Sequence, residues 1–342
     1  MNMGSNKIKG EISLILNKIF FEFEENETDI YQNLENTLKK LIMFAPDIPH
    51  PGEGKTLARW KILAKVGSTN LNLAKWFESH LDALSILNEL NYSPANNGLW
   101  AVWAAEGSTH PIHFKQALCS GQKNWCSGAG LVDYGLLTYR NEHDHSQLII
   151  VDMSQPNIHI NHEGWHAIGM QYTRTASIVF NQVKAEAVGG SNAYLERPVF
   201  WHGAAGVAAC WFGAATRLAD FLYQQCKTKP NAYRLMYLGD ISTLLFTTKQ
   251  YFHYVADQID QYPAQGHELI IRILRAKVEQ TAQAVLEQVG KALGARPFCE
   301  NRIFAALVAD LPVFLRQSHA AFDMERIGEL VSQESEGGAW RL

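Results

Sequence analysis

An indole, a thiol and a hydroxyl follow one another at Trp125-Cys126-Ser127, inside the run Gly121-Gln122-Lys123-Asn124-Trp125-Cys126-Ser127-Gly128-Ala129. An extended run alternates its side chains, so Trp125 and Ser127 are expected on one face and Cys126 on the other. A flat aromatic surface two residues from a hydroxyl suits the face and edge of a planar heteroaromatic ring. The same residues would also serve as a sheet-edge anchor followed by a turn. Other groups carry less. His143 and His145, with His159, His162 and His166 beyond them, stand near acidic residues but form no closed set with ligand spacing. A polar hairpin is the better reading there, and no metal is expected. Cys126 and Cys210 have no fixed histidine partner and read as buried packing. Gly203, Gly206 and Gly213 suggest close helix contact, because no strand precedes them to form a phosphate loop.

These residues need elements to position them. Residues 1 to about 91 have helical periodicity, as in Ile8, Ile12, Ile15 and Ile19 and again in Leu34, Leu38, Leu41 and Ile42. Pro49-His50-Pro51-Gly52 interrupts the pattern, and Tyr92-Ser93-Pro94-Ala95-Asn96-Asn97-Gly98 ends it. Short runs of strand composition follow: Leu99 to Ala104, Ile112 to Leu118, Tyr134 to Tyr139, Gln147 to Val151, Ile158 to Ile160 and Thr175 to Phe180. From Phe200 the periodicity is helical again, over about 200–226, 232–259, 264–293 and 299–317. Helices, then a sheet, then helices, without repeats, describe an α+β fold in which a crevice between sheet and second helical block could take a flat ligand.

Composition narrows the function. With 342 residues, 47% hydrophobic and 19% charged, the chain can bury a large core and is not disordered. A net charge of −4 without a basic cluster argues against nucleic acid. No apolar run is long enough to span a membrane, and the N-terminus lacks a signal-peptide pattern. Five cysteines without paired spacing read as reduced thiols in a cytoplasmic protein.

At this point the chain resembles the acyl-CoA dehydrogenase family. Gly121, Lys123, Trp125, Cys126 and Ser127 match that family's G-x-K-x-W-I-T strand. Gly169-Met170, Arg174, Thr175, Ser177, Phe180, Val183 and Gly189 loosely match a second segment, and Asn70 to Ala74 ahead of Phe77 and His80 match a helix ending in a histidine. The resemblance implies an N-terminal helical domain (1–96), a middle β-barrel-like domain (97–192) and a C-terminal four-helix bundle (193–342). It also implies FAD between the last two. Trp125 would lie against the flavin ring, and Ser127, where the family has Thr, would hydrogen-bond its N5 or O4. Ala101 and Trp103 occupy the strand that reaches the flavin pyrimidine, Trp103 standing where the family has Thr, and Cys126 belongs to the same wall. The implied activity is α,β-dehydrogenation of an acyl thioester, with electrons passed to a carrier flavoprotein, in a homodimer or homotetramer.

The catalytic carboxylate of that family is missing. Its two alternative places correspond to Ser318-His319 and to Phe200-Trp201-His202-Gly203-Ala204. His319 and His202 are therefore the candidate bases, a neutral imidazole being able to take a proton near pH 7. Glu196 is a weaker carboxylate candidate. The family's pyrophosphate-binding R-x-x-F-G segment is also absent, and Lys227, Lys229 and Arg234 stand in its place. Flavin-dependent oxygenation or oxidation, or ligand binding without turnover, therefore remain as alternatives to dehydrogenation.

Overall fold

A computed structural model describes residues 3–26, 29–93 and 98–333. Four helices open the chain: α1 (Met3–Glu25), α2 (Ile30–Ile42), α3 (Thr56–Thr69) and α4 (Leu71–Glu89). Asn70 ends α3 in an extended conformation, and its side chain accepts the amides of Asn72 and Leu73 to cap α4. One asparagine thus converts a single apolar run into two helices.

Seven strands follow: β1 (Trp100–Trp103), β2 (His113–Lys115), β3 (Leu118–Cys126), β4 (Tyr134–Arg140), β5 (Ser146–Asp152), β6 (Ile158–Asn161) and β7 (Ala176–Val188). They are ordered β1-β4-β5-β7-β3-β2, with β6 also paired to β7. Among the described strands only β1 and β4 run parallel. Two expectations are corrected here. The run Ile112 to Leu118 is no single strand, because Gln116 and Ala117 both take left-handed φ values and turn β2 tightly into β3. The run Thr175 to Phe180 is only the start of β7, which continues to Val188 and pairs with β3, β5 and β6.

The remaining helices are α5 (Ala193–Glu196), α6 (Val199–Thr228), α7 (Ala232–Gln261), α8 (Glu268–Leu293), α9 (Arg296–Glu300), α10 (Arg302–Phe314) and α11 (Ala321–Ser332). The helix expected over 299–317 is broken at Asn301, whose side chain caps α10, and α11 lies beyond the periodic signal. Helices α3 and α6 pack at backbone contact. A Cβ on Gly67 would collide with the Cys210 carbonyl, and one on Gly213 with that of Ala64. The sequence reading of Gly213 as a packing glycine holds.

Helix α4 joins the two kinds of structure. Ser79 Oγ accepts the Val102 amide at 2.9 Å, and His80 Nδ1 accepts that of Trp100 at 3.2 Å. Burial drives the His80 pKa down to about 4, so its ring stays neutral and its lone pair serves the strand. Helix α10 meets the sheet domain at Gly169, where a Cβ would strike the Ala309 carbonyl.

Candidate ligand site at the Trp125 bulge

Simple alternation fails at the segment that first suggested chemistry. The pairing of β3 with β7 shifts register between Lys123 and Cys126, and Trp125 has φ +61. A bulky residue in the left-handed region is unusual and marks a bulge that re-aims its side chain. The result is a divided segment. Lys123 and Cys126 point into the core, whereas Trp125 is 66% exposed. Ser127 lies past the strand end and is half-buried.

Each buried neighbour has a structural task. Lys123 Nζ donates to the Thr138 carbonyl at 2.6 Å and to its hydroxyl at 3.0 Å, tying β3 to β4. Burial pulls the Lys123 pKa down to about 8. Cys126 is fully enclosed and its thiol is pushed well above the ordinary range by burial, which suits packing and disfavours the thiolate a nucleophile needs. Trp103 is also buried, against Gly135, and its indole N–H donates to the Ser127 carbonyl at 3.0 Å. Ala101 is buried opposite Gly135 in the β1–β4 ladder. Of the five residues expected to touch a cofactor, Trp125 and Ser127 are accessible. Ala101, Trp103 and Cys126 support the wall from behind.

Two participants escaped the sequence reading. Trp165, in the segment after β6, stands edge-on to Trp125 with ring centroids 5.8 Å apart, and its indole N–H is buried without a partner. No periodicity marks Trp165, since it lies in an irregular segment. Thr173, buried beside the matched Thr175, joins a hydroxyl chain. Ser127 Oγ lies 2.9 Å from Thr175 Oγ1, Thr175 Oγ1 2.8 Å from Thr173 Oγ1, and Thr173 Oγ1 2.7 Å from the Met170 carbonyl. The Thr173 carbonyl in turn accepts the Gly128 amide and the Trp76 indole, each at 2.8 Å. Thr173 closes a short helical turn and Arg174 is left-handed, so no strand or helix period in the sequence marks the pairing of Thr173 with Thr175.

Met170 and Arg174, which bracket this loop, also have left-handed φ values of +58 and +50. Backbone strain of this kind concentrates where the surroundings over-determine a conformation. Here the restraints are visible. Asp310 on α10 accepts the Met170 amide at 2.5 Å and the Asn72 side-chain amide at 2.7 Å. Arg174 pairs with Glu35 at 3.0 Å and lies over the Tyr31 ring. Burial raises the Asp310 pKa to about 6.

The histidines do not converge on this wall. His202 is fully buried; one ring nitrogen, Nε2, meets the Gln265 carbonyl at 2.9 Å and therefore carries the proton. Its Nδ1 lone pair is enclosed beside Gly52 with no partner, and burial drives its pKa down to about 4. His319 is exposed in the turn before α11, where its amide donates to Asp323. Glu196 and Lys227 and Lys229 are exposed, and Arg234 binds the Lys229 carbonyl. A concavity of about 780 Å³ bordered by Tyr92, Tyr134, Asp152 and Glu186 holds none of the candidate residues, so residue chemistry rather than volume selects the Trp125 wall.

No protein-family model and no curated protein match the chain. Solved structures do. Butyryl-CoA dehydrogenase from Megasphaera elsdenii superposes with a TM-score of 0.77 at 13% identity, over 94% of this chain and 98% of that one. Methanesulfinate monooxygenase MsuC from Pseudomonas fluorescens gives 0.72 at 13% identity, over 94% and 95%. XiaF from Streptomyces sp., in complex with FADH2 and glycerol, gives 0.70 at 13% identity, over 94% and 96%. The chain has the acyl-CoA dehydrogenase fold. Among the described residues no helix is long and apolar enough to cross a membrane.

Proposed function

We propose that this chain is a flavin-dependent oxidoreductase that uses reduced flavin for oxygenation rather than dehydrogenating an acyl thioester. The observation that carries the reading is the exposed Trp125 indole, held out by a bulge beside Ser127 and edge-on to Trp165, whose N–H has no partner. These groups fit a planar, hydrogen-bonding ring: aromatic surface for its face, a hydroxyl and an indole N–H for its polar edge. FAD or FMN would rest against Trp125, with Ser127 at its edge and Trp103 bracing Ser127 from behind. When bound in its reduced form, flavin supplies the two electrons that activate dioxygen.

The choice of oxygenation follows from the missing base. Removing an α-proton needs a group within hydrogen-bond reach of the substrate. The Nδ1 lone pair of His202 is enclosed beside Gly52, and His319 faces solvent. Oxygenation needs no such carboxylate. Two of the structural neighbours, MsuC by its name and XiaF by its bound FADH2, agree with this preference. On this reading electrons flow inward from a reductant, not outward to an acceptor flavoprotein. The five unpaired thiols suit a reducing, cytoplasmic setting. We also assign self-association to the outer face of α7, where Tyr233, Met236, Phe246 and Tyr254 are exposed together.

The test is anaerobic. Purified protein is titrated with FMN and FAD, oxidised and reduced, following tryptophan quenching, and the loaded protein is then offered a panel of acyl-CoAs. Quenching that Trp125→Ala removes, with no bleaching by any thioester, is the expected result. Bleaching by an acyl-CoA would instead establish dehydrogenation, and no quenching by either flavin would end the flavin reading.

A further inference from the structure

The hydroxyl chain behind the Trp125 wall has a direction. Each serine or threonine hydroxyl has one proton to give, whereas a carbonyl oxygen can only accept. The contact of 2.7 Å between Thr173 Oγ1 and the Met170 carbonyl therefore uses the Thr173 proton. Thr175 must then donate to Thr173 across 2.8 Å, and Ser127 must donate to Thr175 across 2.9 Å. The reverse order would leave two oxygen lone pairs facing each other at the Met170 end, in a site where Thr173 and Thr175 are 1% and 4% exposed. An unmade bond between such buried groups is the costly outcome. The far end is anchored as well, since Asp310 holds the Met170 N–H and so fixes the residue whose carbonyl accepts from Thr173.

We infer that Thr173 and Thr175 commit the Ser127 proton inward, so that Ser127 Oγ meets its ligand as an acceptor and selects a ring that presents an N–H. The Ser127 amide adds no donor, since it points to the Trp125 carbonyl at 3.1 Å. Reduced flavin carries a hydrogen on N5, and oxidised flavin offers a lone pair there. The two threonines are then positioning residues that set the redox preference of the site without touching the ligand. The proposal rests on the flavin reading above and adds to it a sign: the bound flavin is stabilised in the reduced state.

The experiment compares dissociation constants of oxidised and reduced FMN, measured anaerobically by tryptophan quenching, in the wild type, Thr175→Val, Thr175→Ser and Ser127→Ala. The wild type should hold reduced FMN about tenfold or more tighter than oxidised, the size of one hydrogen bond made in one state only. Thr175→Val keeps the shape but frees the Ser127 proton, so the preference should shrink about tenfold or invert. Thr175→Ser should restore it, which a merely structural effect of the substitution would not do. Ser127→Ala should remove the preference while Trp125 still retains the ring. A Thr175→Val protein that binds FMN with the wild-type ratio overturns the relay and leaves the flavin reading intact. A wild type that binds neither form overturns the flavin reading itself.

Discussion

The indole N–H of Trp103 donates to the Ser127 carbonyl at 3.0 Å, and the two residues stand on opposite sides of the domain wall, one buried and one accessible. Trp103 can sit there because Gly135 leaves room: a Cβ at Gly135 would collide with the indole ring. Trp103→Phe keeps an aromatic ring but loses this donor. We expect flavin affinity to fall about tenfold, the worth of roughly one hydrogen bond, in a protein that still unfolds cooperatively. Fluorescence titration and a thermal melt on the same sample separate the two effects. Gly135→Ala, which displaces the ring instead, should cost stability first, about 1–3 kcal/mol.

Asp310 holds three parts of the chain through one carboxylate, and its charge is expensive. Its folded pKa is raised to about 6 from 3.8, chiefly by burial. The folded state therefore favours the protonated acid. The stability this group contributes is full below about pH 4 and is lost as pH rises through 6, roughly 2–3 kcal/mol in all. Asp310→Asn removes the charge and keeps an acceptor for Met170. Turning the Asn72 amide would also use its Oδ1, which is buried without a partner. The melting temperature of Asp310→Asn should exceed that of the wild type at pH 7–8, and the difference should vanish near pH 4. Equal pH profiles for the two proteins would show that the carboxylate is solvated.

His202 has the opposite sign. Its folded pKa is lowered to about 4 from 6.5, because burial disfavours the cation. The stability contributed by the neutral ring is present above pH 6.5 and disappears as pH falls through 4. His202→Leu should therefore cost about 2–4 kcal/mol at pH 7.5 in urea denaturation. The cost should shrink by roughly 2 kcal/mol at pH 4.5. His319→Ala, exposed and linked to Asp323 only through its amide, should change stability by less than about 0.5 kcal/mol and leave flavin binding unchanged.

The outer arc of α7 gives a prediction about assembly. Met236 and Phe246 are 57% and 65% exposed, which no contact within the described chain explains. Phe246→Asp with Met236→Asp should lower the mass measured by light scattering to that of one chain without lowering the melting temperature of the monomer. An unchanged mass would place self-association elsewhere or rule it out.

Particular residues show how far the sequence could be read. The alternation of helical and strand periods exposed the three-part architecture, and the match at Gly121, Lys123, Trp125 and Ser127 pointed at the segment that carries the exposed Trp125. The orientation of that wall was hidden, because a bulge is a change of backbone state at Trp125 rather than of composition. Lys123 entered only as a matched position of the strand motif, and its task became visible with the enclosed Thr138 carbonyl and hydroxyl. Trp165 was invisible, since a tertiary contact between an irregular segment and a bulge leaves no periodic trace. The surroundings of the two histidines were hidden for a related reason. Positions equivalent by alignment were reached, but the His202 Nδ1 lone pair is enclosed beside Gly52 and His319 is exposed.

The glycine contacts between α3 and α6 bear on how the chain comes to be folded at all. Gly67 and Gly213 press against backbone from opposite sides of the whole sheet domain in sequence. During synthesis α3 emerges early with its apolar stripe uncovered, and its partner appears only after β7 has left the ribosome. The sheet itself is completed only by its last strand, since β7 pairs with β3, β5 and β6, so the first helices wait for the whole of it. The close contact of α3 with α6 can therefore form only after the whole sheet domain has been made. A chain interrupted after Val188 would carry a finished sheet and a sticky, unpartnered helical arm, which makes late synthesis the vulnerable stage for this protein.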